Sequence, residues 1–248
     1  MTLPLDQQRI IITGAAQGLG AAIARRFAAA GARLALMDYD AAALAETTRA
    51  CGTAAIGIEV DLSDKAATNA AIARTFGQLG SIDTLIHNAA ILRPTAFEEE
   101  TFESFFRTVS VGLQAGFQLS HAVWQGMKAR GGGALVFVSS RSGIEGFACE
   151  AAYCASKHDL EGLAKSLALE GAPFGIRANT VTPGMYMRTP MSERNYSDDL
   201  KQKWVDPYEL TSAFVALAER SPHVVSGERI DAWALSKSLQ PGEVSLVS

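Results

Sequence analysis

Arg9-Ile10-Ile11-Ile12-Thr13-Gly14-Ala15-Ala16-Gln17-Gly18-Leu19-Gly20 is a β-branched run that breaks into a glycine-rich turn. The run reads as a buried strand. An alanine-rich stretch to Ala30 follows and reads as a helix. Strand, glycine turn and helix start are the context that a phosphate-binding turn needs. Gly14 suits a tight turn. Gly18 and Gly20 let backbone approach a pyrophosphate at the positive end of the helix. A second strand, Arg33-Leu34-Ala35-Leu36-Met37, ends at Asp38, which lies 18 residues after Gly20. A ribose-binding carboxylate of a dinucleotide fold belongs near that place.

Outward from this unit, strand and helix signals alternate. Apolar runs at 10–12, 34–37, 54–60, 82–87, 134–139, 176–182 and 228–233 are strand candidates. Helical segments at 18–30, 41–50, 64–79, 99–129 and 151–171 lie between them. The pattern predicts an α/β fold, a Rossmann-like doubly wound parallel sheet of about seven strands flanked by helices. No linker or repeat divides residues 1–248, so one domain is expected. Gly14, Asp38, Asp61, Asn88, Ser140 and Pro183 all fall at or just past strand ends, where such folds bind ligands.

Ser140 ends one of these strands, and Tyr153-Cys154-Ala155-Ser156-Lys157 opens the helix after it. A phenol has a reference pKa of about 10, high for a base at neutral pH. A Lys four residues on shares the helix face and is expected to lower that pKa. With the Ser140 hydroxyl holding a substrate oxygen, the three form an acid/base device for an alcohol or carbonyl.

Together these motifs resemble the short-chain dehydrogenases/reductases, over roughly residues 6 to 232. Thr13 to Gly20 matches TGxxxGxG, and Tyr153 with Lys157 matches YxxxK. The resemblance implies a catalytic set of Ser140, Tyr153 and Lys157. It implies cofactor contacts from Gly14, Gln17, Gly18, Leu19, Gly20, Asp38, Asn88, Tyr153, Lys157 and Pro183. Asp61, with Leu62 beside it, matches the acid that touches adenine. Thr189 resembles the Thr that holds the carboxamide, and Asn179 belongs to the N-x-V-x-P-G segment ending at Gly184. One departure stands out. Family members carry an Asn that anchors a relay water where this chain has Gly112. Ser110 and Gln114 are near but do not match the position, so water or another side chain is expected to replace the relay.

NAD is the expected cofactor. Asp38 accepts from ribose hydroxyls and repels a 2′-phosphate. Gln17, Tyr39 and Asp40 stand where NADP users commonly carry a basic residue. Asp40 is the better helix cap before Ala41.

The mechanism implied is hydride transfer at a carbon bearing oxygen, with Tyr153 taking the alcohol proton. Ser140, Arg141, Tyr153 and Tyr186 are the expected substrate contacts. Arg141, with Glu145, Glu150 and Arg93 on nearby loops, favours a polar substrate such as a sugar or polyol. Solvent exposure or pairing with Glu145 or Glu150 is the plainer reading of Arg141. A lid is expected over 185–204, or else a surface helix pair. His87 reads as a hydrogen-bonded core histidine.

The net charge of −4 argues against a nucleic-acid surface. No apolar stretch reaches membrane-spanning length, and Met1 to Arg9 lack a signal core. Cys51, Cys149 and Cys154 have no metal-ligand spacing, so no metal is expected, and reduced thiols in the cytoplasm are. The family implies a homodimer or homotetramer. Phe102, Phe105 and Phe106 are expected in the core or a subunit interface, and the tail from Ala234 to Pro241 is left open. A ketone reductase of another small substrate class is one alternative. A catalytically weak NAD(H)-binding regulator is another. Gly112 alone favours the regulator, and an intact Ser140, Tyr153 and Lys157 favours an enzyme.

Overall fold

The computed structural model describes residues 4–219 and 225–239. Its seven strands are β1 (Arg9–Thr13), β2 (Arg33–Asp38), β3 (Ala55–Glu59), β4 (Thr84–His87), β5 (Gly133–Val138), β6 (Ile176–Thr182) and β7 (Arg229–Asp231). They form one sheet in the order β3-β2-β1-β4-β5-β6-β7. Every pairing is parallel. The order reverses between β1 and β4, where Thr13 lies opposite His87. That crevice at the carboxyl ends of the strands is where such sheets take a ligand.

The connecting helices are α1 (Gly18–Ala29), α2 (Ala41–Ala50), α3 (Lys65–Leu79), α4 (Phe102–Val109), α5 (Ala115–Ala129) and α6 (Ala151–Gly171). Beyond β6 come α7 (Pro190–Asn195), α8 (Asp198–Lys201), α9 (Thr211–Ala218) and α10 (Ala232–Ser238). Strand side chains alternate between two cores, as the period of two demands. Ile10, Ile12, Leu34, Leu36 and Val136 pack with Phe27 of α1 and Phe214 of α9. Ile11, Ala35, Met37, Leu85, Leu135 and Phe137 pack on the opposite face with Leu119, Val123 and Met127 of α5 and Leu160 of α6.

Two expected elements are corrected. The helix expected over 99–129 is three pieces. Thr101 caps α4 by accepting from the Ser104 N–H at 3.1 Å. Ser110–Gln114 then forms a π-turn, closed by the Ala115 N–H on the Ser110 carbonyl, before α5 begins. The strand expected over 228–233 stops at Asp231, whose carboxylate accepts from the Ala234 N–H at 2.9 Å and starts α10. Of the tail singled out above, Ala234–Ser238 is helical, while Gln240 and Pro241 lie outside the described residues. Among the described residues, no helix is long and apolar enough to cross a membrane.

Candidate active site

The glycine turn is packed from below by Asn88. Its Nδ2 donates to the carbonyls of Thr13 and Gly14 at 3.2 and 3.0 Å. A Cβ at Gly20 would lie 2.0 Å from the Gly14 oxygen, so no side chain fits there. Gln17 precedes α1 without a side-chain cap bond, leaving the helix's first N–H groups available to a phosphate. Across the groove, the methyl of Thr189 would sit 3.1 Å from a Cβ at Gly18. Asp38 is buried at the end of β2. Its carboxylate accepts from the Ala16 N–H at 2.9 Å and the Asp40 N–H at 3.1 Å, which fixes it beside the turn. Asp40 caps α2 through the Ala43 N–H, as expected. These residues fit a dinucleotide. The side chains of Leu19 and Leu62 belong to the two cores, so contact with a ligand falls to their backbone. Asp61 faces Arg107 at 2.8 Å and Ser63 at 2.7 Å, and these partners hold its carboxyl below the ordinary value. Pro183 accepts from the Trp233 N–H at 3.1 Å, which ties the end of β6 to α10.

Ser140, Tyr153 and Lys157 come together at the ends of β5 and α6, with Tyr153 near enough to Ser140 for the serine to act on its phenol. Burial governs the electrostatics of this set. Lys157 is buried, and its ammonium donates to the Val138 carbonyl at 2.6 Å. It lies 5.4 Å from the centre of the Tyr153 ring. Burial pushes Tyr153 well above its ordinary pKa, and the neighbouring Ser140 hydroxyl opposes that shift. Burial also pulls Lys157 down to about 8, against the opposing field of Glu161. In this structure burial, not the lysine, decides the direction of the phenol's shift.

Beneath this set is a polar network that the sequence reading missed. Glu161, four residues after Lys157, accepts from Ser139 Oγ at 2.5 Å and Thr180 Oγ1 at 2.7 Å. Arg229 of β7 pairs with Glu161 and also donates to the Ser140 carbonyl at 2.9 Å. The network ties the backbone of the candidate serine to the helix that carries the lysine. An acid on the buried face of α6 was a usable signal for Glu161; Arg229, one charge in a short strand, gave none.

A family model described as short chain dehydrogenase matches residues 8–200. The chain belongs to the short-chain dehydrogenase/reductase family. It is an oxidoreductase that acts on CH–OH groups with a nicotinamide cofactor. It is 35% identical over 228 residues to the 2,5-dichloro-2,5-cyclohexadiene-1,4-diol dehydrogenase LinX of Sphingobium indicum, covering 88% of this chain and 91% of that protein. It is 38% identical over 207 residues to the L-xylulose reductase of Bos taurus, covering 82% of this chain and 81% of that one. Among solved structures, the 3-ketoacyl-(acyl-carrier-protein) reductase of Brucella melitensis complexed with NADH superposes with a TM-score of 0.84. It shares 27% identity, over 92% of this chain and 97% of that one.

On the substrate side of this dehydrogenase, Ser142 Oγ lies 3.4 Å from Ser140 Oγ and donates to Glu150 at 3.0 Å. Tyr186 and Tyr196 meet edge to face at 5.7 Å. Burial raises the pKa of Tyr196, with the Glu150 charge adding to it. Asn195 of α7 donates to the Leu92 carbonyl at 3.2 Å, which ties the 185–204 segment to the loop after β4. That segment contains the short helices α7 and α8. Arg141 is exposed, pairs with Glu145 at 2.8 Å and lies over Phe147, which is the plainer of its two readings.

Gly112, the departure from the family pattern, sits in the π-turn against α6. A Cβ there would lie 2.0 Å from Ser156 Oγ and 3.3 Å from Ser156 Cβ. An alanine at this place gains about 1 kcal/mol of helix propensity, while overpacking costs about 1–3 kcal/mol. Gly112→Ala is therefore expected to destabilise the protein. In a Ser156→Ala background the sign should reverse to neutral or stabilising. Denaturant titration of the four proteins checks this, and the same penalty in both backgrounds would refute the packing explanation.

Proposed function

We propose that this protein is an NAD-dependent dehydrogenase that interconverts a secondary alcohol and its carbonyl on a small polyhydroxylated substrate. The polar chain Ser140–Ser142–Glu150 beside the Tyr153 hydroxyl carries the substrate half of this reading. Partly buried polar groups favour a substrate that brings hydroxyls over a hydrocarbon. Two relatives whose names state a diol and L-xylulose support the same class. Arg141 and Tyr186 join this side of the site as secondary contacts in this reading.

The bound nicotinamide supplies the hydride chemistry. Tyr153 exchanges a proton with the substrate oxygen. Ser140 holds that oxygen in line through a second hydrogen bond. Lys157 contributes a fixed positive charge close to the ring of Tyr153 and to the cofactor groove. Gly14, Gln17, Gly18, Leu19, Gly20, Asp61, Leu62, Asn88, Pro183 and Thr189 line the dinucleotide's path in this reading. Residues 1–248 act as one unit, with 185–204 as its cover. Exposed Phe102, Phe106 and Phe117 along α4 and α5 support a homodimer or homotetramer. Three free cysteines suit the cytoplasm.

The buried Asp38 carboxylate supports NAD over NADP. Asp38→Asn keeps the side-chain shape and removes the charge. It is expected to lower the NAD-to-NADP ratio of kcat/KM about ten-fold or more, equivalent to about 1.4 kcal/mol. An unchanged ratio would remove the ribose role. The function itself is tested by following NADH formation across polyols, aldoses, hydroxy acids and simple secondary alcohols. Turnover confined to simple alcohols would remove the polyhydroxylated class.

A further inference from the structure

His87 ends β4 at the switch point, fully buried. Its two ring nitrogens face different parts of the site. Nδ1 lies 3.0 Å from Thr13 Oγ1 in the glycine turn, and Nε2 lies 2.8 Å from the Gly112 carbonyl in the π-turn. The tautomer follows from counting bonds. Thr13 Oγ1 already accepts from the Asn88 and Ala89 N–H groups at 3.0 and 3.1 Å. Both lone pairs are used, so the hydroxyl hydrogen goes to His87 Nδ1. The ring proton therefore sits on Nε2 and is donated to Gly112. Gly112 and Gly116 are one helical turn apart, and a Cβ at Gly116 would lie 3.0 Å from His87 Cδ2. Gly116 leaves the space that the imidazole fills, while Gly112 offers it a carbonyl and turns its bare Cα toward Ser156. On its other side, the π-turn touches Ser156, the residue before Lys157.

We infer that His87 is a positioning residue that clamps the π-turn to the glycine turn and so sets where α6 holds Tyr153 and Lys157 relative to the cofactor groove. The π-turn is thus held from two sides, by His87 of the sheet on its carbonyl and by Ser156 of α6 against its bare Cα. A buried π-turn carbonyl needs a donor, and His87 supplies one. The inference rests on Tyr153 and Lys157 being the acting groups. Burial, with the facing Lys157 charge adding to it, pushes the ring's pKa down to about 4, while the carbonyls of Gly112 and Val111 oppose the shift. The clamp thus stays neutral at working pH.

Gln and Asn substitutions separate the two contacts. A Gln amide reaches the position of Nε2, whereas an Asn amide reaches only that of Nδ1. His87→Gln should keep kcat within about three-fold, while His87→Asn and His87→Leu should lose about ten-fold or more with little change in KM. Melting temperatures of the three proteins are read alongside. Nitrogen NMR of the wild-type protein should show the Nε2–H tautomer, neutral down to about pH 5. His87→Asn matching His87→Gln in kcat, or kcat falling in step with melting temperature across the set, would overturn the clamp. So would an Nδ1–H tautomer or a ring that titrates near 6.5. The tautomer is read without turnover, so it stands or falls separately from the catalytic roles of Tyr153 and Lys157.

Discussion

Tyr153→Phe is expected to lower kcat for alcohol oxidation by about 10²–10⁴-fold, the usual contribution of a positioned acid or base. That range corresponds to about 3–5 kcal/mol in the barrier. NADH binding should stay within about two-fold, because the substitution deletes one hydroxyl and keeps the ring. In the structure the phenol is held strongly protonated by burial, with Tyr196 and Glu150 adding to the effect. It therefore needs help to act as a base near neutral pH. Substrate and cofactor must supply it as they replace water around the hydroxyl. The residual rate of the variant should accordingly lose the pH dependence that the tyrosine imposes. A variant that binds NADH poorly, with kcat and KM both changed, would instead mark Tyr153 as a packing residue. Turnover within ten-fold of the parent would mean that another group moves the proton.

The site was legible wherever backbone geometry dictates residue type. Gly14 and Gly20 announce a turn that side chains cannot enter, and Asp38 follows at the distance fixed by one helix and one strand. Tyr153 and Lys157 sit one turn apart, so their shared face could be read from spacing alone. What spacing could not give was the third dimension. Lys157 shares that face, yet its ammonium bonds to the Val138 carbonyl, and that depends on where β5 ends. Gly112 seemed a loss of function in a linear comparison. In the fold it faces Ser156 on one side, and its carbonyl takes the His87 proton on the other. The π-turn was equally hidden, because an uninterrupted helical pattern runs through Ser110–Gln114. Only the neighbours from α6 and β4 mark the place where the helix widens.

Glu161→Gln should produce the second large effect, in both stability and pH response. Glu161 is buried, with its two oxygens occupied by Ser139, Thr180 and Arg229. Removing its charge leaves Arg229 in a mostly buried place without a counter-ion. Breaking one side of such a pair costs about 3–5 kcal/mol, and the 21% exposure of the Arg229 side chain points to the lower end. For a chain of this size, about 3 kcal/mol lowers the melting temperature by about 6–12 °C. An added Arg229→Met should recover much of that loss, since replacing both partners with apolar groups is often nearly neutral. The charge also acts on Lys157, the ammonium one turn away. Glu161 opposes the burial that brings the lysine down to about 8, so its neutralisation moves the lysine lower still. Activity that needs the ammonium is present below the lysine's pKa and is lost as pH rises through it. The alkaline fall of kcat should therefore begin at lower pH in Glu161→Gln than in the parent. Arg229→Met alone leaves the carboxylate in place and removes a competing positive charge, so it should move the fall to higher pH while destabilising the fold. Opposite shifts from two destabilising variants would separate electrostatic control of Lys157 from simple loosening of the fold, which would move both profiles the same way.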